Sequence, residues 1–91
     1  MEVTISIPTA LRPQVDNKDT VKAKGSSVRE ALGALTAQYP ELGKRLYAGE
    51  NELNRFINVY VNDEDIRFMD NLDTALKEGD EVSIIPAIAG G

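Results

Sequence analysis

SSVREALGALTAQYP, residues 26–40, is the one long stretch with helical rather than alternating periodicity. Ser27 and Glu30 stand at the S-x-x-E spacing of a capping box, in which two side chains satisfy backbone donors that the first helical turn leaves unpaired. Val28, Ala31, Leu32, Leu35 and Tyr39 recur at helical spacing and form one apolar stripe. Pro40 predicts an end at Gln38 or Tyr39, because the residue before a proline is pushed out of helical angles. A helix with a single apolar stripe needs one sheet face to cover it.

The sequence on either side supplies strands. Upstream, Val3, Ile5 and Ile7 alternate with Glu2, Thr4 and Ser6 until Pro8 stops the ladder. Residues 11–18 read as a loop, and residues 19–24 alternate again with Val21 and Ala23 inward. Two strands so close together pair as a hairpin with a long connection. Downstream, Leu42, Leu46 and Tyr47 suit a short second helical turn, followed by a polar break at residues 48–52. Residues 56–62 are the strongest strand, with Ile57, Val59 and Val61 on one face and Phe56, Asn58 and Tyr60 on the other. A turn at residues 62–65, a short strand at 66–68, one helical turn at 72–76 and a last strand at 81–86 complete the chain. The expected fold class is α+β: a mixed four- to five-stranded sheet packed on one main helix. With the first and last strands as parallel central neighbours, that arrangement is a β-grasp.

At 91 residues the chain is one domain, expected over residues 1–86, with 87–91 as a flexible tail. No run approaches the roughly 20 apolar residues that span a bilayer, and no signal-peptide pattern opens the sequence, so a cytoplasmic location is expected. There is no Cys and no His, which removes thiolate nucleophiles, Ser–His pairs and thiolate or imidazole zinc sites. A net charge of −5 disfavours nucleic-acid backbones and anionic membranes. A self-sufficient enzyme does not fit; a protein handled by other proteins does.

The chain ends Ile85-Pro86-Ala87-Ile88-Ala89-Gly90-Gly91. Pro86 stops the last strand, and the residues beyond are small and uncharged. Glycines without a Cβ can thread a narrow channel and adopt angles closed to other residues. The terminal carboxylate of Gly91 can then reach a partner's active site. Transfer of that carboxylate to AMP from ATP makes it an electrophile, and attack by a sulfur nucleophile leaves a thiocarboxylate. This chemistry asks nothing of the chain's own side chains, as suits a sequence without Cys or His. A frayed, passive terminus is the plain alternative.

The whole chain resembles the ubiquitin-like sulfur carriers of the MoaD/ThiS superfamily. The residues that carry the resemblance are Val3-Thr4-Ile5-Ser6-Ile7-Pro8-Thr9 with Leu11-Arg12-Pro13, the block from Arg55 to Phe68, and the tail Ile85 to Gly91. The opening and the middle block look most like the cysteine-biosynthetic CysO branch; molybdopterin-synthase subunits usually carry a Pro-Pro before the tail. The resemblance implies a thiocarboxylate on Gly91 and a channel-threading tail of Ala87, Ile88, Ala89 and Gly90. It implies a ThiF/MoeB-like adenylating enzyme that uses ATP, a pyridoxal-phosphate cysteine synthase acting on an activated serine, and a JAMM-type zinc metallopeptidase. ATP, pyridoxal phosphate and zinc belong to those partners; the chain itself is expected to hold no cofactor and to be a monomer when free. The alternatives in the same fold are the small subunit of molybdopterin synthase and a ubiquitin-like protein modifier.

Other features have plainer readings. Phe56, Tyr60 and Phe68 are candidate partner-docking residues, with ordinary core or edge packing as the alternative. Asp63-Glu64-Asp65 lacks the spacing of a calcium loop and reads as a solvated turn. Lys18, Lys22 and Lys24 read as protection of an edge strand.

Overall fold

The computed structural model describes residues 2–49, 52–54 and 56–86. Its strands are β1 (Glu2–Ser6), β2 (Thr20–Lys24), β3 (Tyr47–Gly49), β4 (Glu52–Leu53), β5 (Ile57–Val61), β6 (Glu64–Asp65) and β7 (Glu81–Pro86). Its helices are α1 (Val28–Gln38) and α2 (Pro40–Leu46), with short 3₁₀ segments at Thr9–Val15, Ile66–Phe68 and Asn71–Asp73. The main sheet has the order β2-β1-β7-β5-β6, and β3 pairs with β4 apart from it. β1 and β7 run parallel in the centre, with Ile5 opposite Val82, while β1–β2 and β5–β7 are antiparallel. This is the expected mixed sheet on one main helix, a β-grasp.

The alternating strands bury one face each. Val3, Ile5, Val21, Ala23, Val59, Val61, Val82 and Ile84 are buried, and Val28, Ala31, Leu32 and Leu35 of α1 meet them at 0% exposure. Burying each such Val, Leu or Ile contributes about 1.5–3 kcal/mol, so this contact dominates the fold. Ser27 caps α1 as expected, its hydroxyl accepting the Glu30 N–H at 3.2 Å. Glu30 does not return the bond to Ser27. Its carboxylate accepts from the Ser26 N–H and Ser26 hydroxyl, both at 2.9 Å. That contact holds the Glu30 carboxyl below its ordinary pKa, chiefly through the Ser26 backbone bond.

Five local expectations need correction. Residues 11–18 are not simply a loop: Thr9–Val15 coils as a 3₁₀ segment because Leu11 and Val15 both have core to reach. The short turn after Pro40 is a seven-residue helix, with Pro40 in its first turn and Leu42 and Leu46 buried. The break at 48–52 contributes to the β3–β4 pair. Residues 66–68 are a 3₁₀ turn rather than a strand, since Asp65 caps it by accepting the Arg67 N–H at 2.8 Å. The helical turn expected over 72–76 is a 3₁₀ turn at Asn71–Asp73. After it the chain straps the start of α1, with Val28 N–H donating to Thr74 and Leu76 N–H to Ser26.

Candidate functional site

Topology fixes where the tail leaves. β7 lies between β1 and β5, and its last residue, Pro86, pairs with Ile57 at the start of β5. Because β7 is parallel to β1, the chain exits at the end of the sheet where β1 finishes and β5 begins. At the root of the tail β7 is paired on one side: β5 accompanies it to Pro86, while β1 pairs with it only as far as Ser83. The reactive residue expected from the sequence, Gly91, and the tail residues Ala87, Ile88, Ala89 and Gly90 lie outside the described residues.

The sheet face turned away from α1 is open. Cross-strand partners share a face, so Tyr60 stands with Ser83 and Asn58 with Ile85. Ile85 is 43% exposed and adjoins Pro86; sequence reasoning did not single it out, although inward Val82 and Ile84 already force it outward. Of the three aromatic residues expected to dock a partner, Phe56 precedes β5 beside the tail root and Tyr60 lies on the open face. Phe68 sits in the 3₁₀ turn after the edge strand and is 82% exposed. The three are therefore spread over separate elements.

The edge of the sheet beyond β5 holds a second feature. β6 pairs only with Tyr60 and Val61, the Ile57 N–H donates to Asn54 O at 2.9 Å, and beside this stretch of β5 lies a cleft of about 340 Å³. Leu53, Ile57, Val59, Ile66 and Leu72 line it, with Asp65 and Arg67 on its wall. Asp65 was expected in a solvated turn; instead it is buried, and Arg67 neutralises it. The Arg67 Nη2 approaches Oδ2 at 2.7 Å, and Nε lies 3.1 Å from Oδ2 and 3.2 Å from Oδ1. These side-chain bonds, ahead of the Arg67 backbone bond, hold the Asp65 carboxyl below its ordinary pKa and raise that of Arg67. The turn itself is as expected: Asn62 and Asp63 take φ of 49° and 73°, the left-handed pair that a two-residue hairpin requires. Among the described residues no cluster of three or more acidic, His or Cys side chains is placed to hold a metal.

Lys22 and Lys24 are exposed on β2, an edge strand, as expected; Lys18 lies before that strand, 3.4 Å from the Tyr39 hydroxyl. No helix among the described residues is long and apolar enough to cross a membrane.

Comparison with known proteins places these features in a family. The sulfur carrier protein CysO of Mycobacterium tuberculosis H37Rv is 45% identical over 93 residues, covering 100% of both chains. A chain of the Amycolatopsis orientalis BexX/CysO complex superposes with a TM-score of 0.89 at 45% identity, covering 98% of this chain and 99% of that one. Small archaeal modifier protein 1 of Methanosarcina acetivorans matches with a TM-score of 0.88 at 30% identity, over 99% of this chain and 96% of its own. The ThiS family model matches residues 5–91, from the first central strand through the terminal Gly-Gly, and the chain belongs to the ThiS family.

Proposed function

We propose that the protein is a sulfur carrier whose reactive group is the carboxylate of Gly91. The observation that supports this most strongly is the reach of the family match through Gly91 rather than to the end of the folded domain. The 45% identity to CysO over the full length points to cysteine biosynthesis as the service it performs.

In this reading a ThiF/MoeB-like enzyme joins the Gly91 carboxylate to AMP, and pyrophosphate leaves. A sulfide-level donor attacks the acyl carbon and AMP departs, leaving a thiocarboxylate. A pyridoxal-phosphate cysteine synthase releases the activating group of an activated serine, and the thiocarboxylate sulfur bonds to the carbon that carried it. An acyl shift from sulfur to nitrogen leaves cysteine amide-linked to Gly91, and a JAMM-type zinc metallopeptidase hydrolyses that amide. The chain contributes a root paired to β5, a tail that fits a channel, and a docking surface around Ile85, Phe56 and Tyr60. It acts as a co-substrate of its partner enzymes, in the cytoplasm.

The test is intact mass after each stage. Incubation with activating enzyme, ATP and sulfide should exchange one oxygen for sulfur. Further incubation with the synthase and activated serine should add the three-carbon amino acid unit, leaving the chain heavier than the starting protein by one cysteine residue. A thiocarboxylate that never acquires cysteine contradicts the cysteine branch and leaves the carrier reading in place. The likeness to small archaeal modifier protein 1 favours a second reading, attachment through Gly91 to lysines of target proteins. Isopeptide-linked conjugates in cell extracts would support it.

A further inference from the structure

We propose that the free edge of β2 receives an extended acidic segment of a partner protein, added to the sheet as an antiparallel strand. This surface lies apart from the tail, and the proposal does not rest on the tail reading.

Register shows which backbone groups are free. β2 is an end strand of the main sheet and pairs with β1 alone. The Ile7 N–H donates to Asp19 O at 2.8 Å, in register with Ser6 opposite Thr20, so alternation turns Asp19, Val21 and Ala23 toward β1. Thr20, Lys22 and Lys24 turn their N–H and C=O groups the other way. All three residues are exposed, and these backbone groups have no partner among the described residues. An edge of this kind is a template for an added strand.

Charge selects the occupant. Thr20, Lys22 and Lys24 share the sheet face away from α1, while Val21 and Ala23 are buried on the other. Lys24 has no ion pair among the described residues. Lys22 lies 3.9 Å from the Glu2 carboxylate with both side chains exposed, a contact weak enough for an incoming carboxylate to replace. Residues 18–24 hold three lysines and one aspartate, in a chain of net charge −5. An antiparallel strand sets each of its residues opposite one of β2 on the same face, so Asp or Glu at alternate positions meets Lys22 and Lys24. A second copy adding through its own β2 would set lysine against lysine instead. The lysines therefore deter self-pairing and admit an acidic strand. Val21 and Ala23, each 7% exposed, offer little apolar contact, so recognition rests on backbone bonds and charge. β1 separates β2 from β7, which leaves the tail root uncovered.

The probe is a seven-residue peptide with blocked ends that alternates glutamate with valine, titrated into the full-length protein. Bound peptide should slow deuterium exchange of the Thr20, Lys22 and Lys24 amides at least tenfold. A lysine–valine peptide should bind at least tenfold more weakly, and the Lys22→Glu/Lys24→Glu double variant should reverse that preference with an unchanged melting temperature. The glutamate peptide N-methylated on its glutamates keeps the charge and loses the backbone donors, and it should also bind at least tenfold more weakly to the wild type. Unchanged exchange at the three amides, or equal binding of the N-methylated peptide, overturns strand addition. Equal binding of the two charged peptides to the wild type overturns the acidic occupant. A dimer of the free chain that protects these amides without peptide overturns the proposal too, by naming a second copy.

Discussion

At Gly25 the backbone of β2's end passes so close to α1 that a Cβ would stand 2.6 Å from Ala31 N and 2.9 Å from the Glu30 Cβ. Overpacking of this kind costs about 1–3 kcal/mol, and Gly25→Ala should lower the melting temperature accordingly. Gly33 is the contrasting case. It lies within α1 with nothing inside 4 Å of a built Cβ, so Gly33→Ala should add about 0.5–1 kcal/mol of stability. Thermal unfolding of the two variants checks both signs at once. Asp80 carries the acid sensitivity of the β7 start. Its carboxylate accepts the Lys77 N–H at 2.8 Å and the Asn62 side-chain amide at 3.0 Å. These bonds, the Lys77 one first, hold its pKa below the ordinary value. A carboxyl with a depressed folded pKa stabilises the fold above its unfolded pKa, near 3.9 for Asp, and that contribution is lost as pH falls through the folded value. Asp80→Asn should therefore be less stable than wild type at pH 7 and lose less stability between about pH 4 and pH 2. Denaturant midpoints across that range measure it, and an unchanged acid slope would contradict the assignment.

At the scale of elements, α1 and the sheet face beneath it carry the fold. Leu35 is fully buried in that contact, and Leu35→Ala should cost about 2–5 kcal/mol in chemical denaturation. These elements were also the legible ones. Val3 and Ile5, Val21 and Ala23, Val59 and Val61, Val82 and Ile84 announce their inward faces by strict alternation, and Ser27 marks the helix start by its own chemistry. What the sequence hid was set by tertiary contact. Leu11 and Val15 look like two apolar residues in a polar loop until the core pulls them into a 3₁₀ turn. Asp65 looks like any turn carboxylate until Arg67, two residues on, folds back over it and ends the strand. The tail suggests chemistry in the sequence alone, through its small residues and paired glycines, while the cleft beside β5 is assembled from five separate elements and has no local signature. Ile88 is the one bulky side chain of the tail, and on our reading it anchors in a partner's apolar channel. Burying it is worth roughly 1.5–3 kcal/mol, so Ile88→Asp should weaken binding to the activating enzyme at least tenfold. The melting temperature of the free protein should stay the same, which separates a docking role from a structural one.

At the scale of the whole molecule, the parallel pair β1–β7 puts the two ends of the sequence to different uses. The N-terminal strand is locked into the middle of the sheet, and its central neighbour delivers the tail at the sheet's end. On the proposed reading, a domain without Cys or His takes part in sulfur transfer through its terminal carboxylate alone. That central claim is tested most directly by adding one residue after Gly91 and following thiocarboxylate formation by intact mass with the activating enzyme, ATP and sulfide. The addition moves the terminal carbon by up to about 3.6 Å, and a misplacement near 1 Å can already cost a hundredfold in rate. The native chain should be converted and the extended chain at least a hundredfold more slowly, with identical melting temperatures. Equal rates for the two chains would contradict it, because Gly91 would then not be the reactive end.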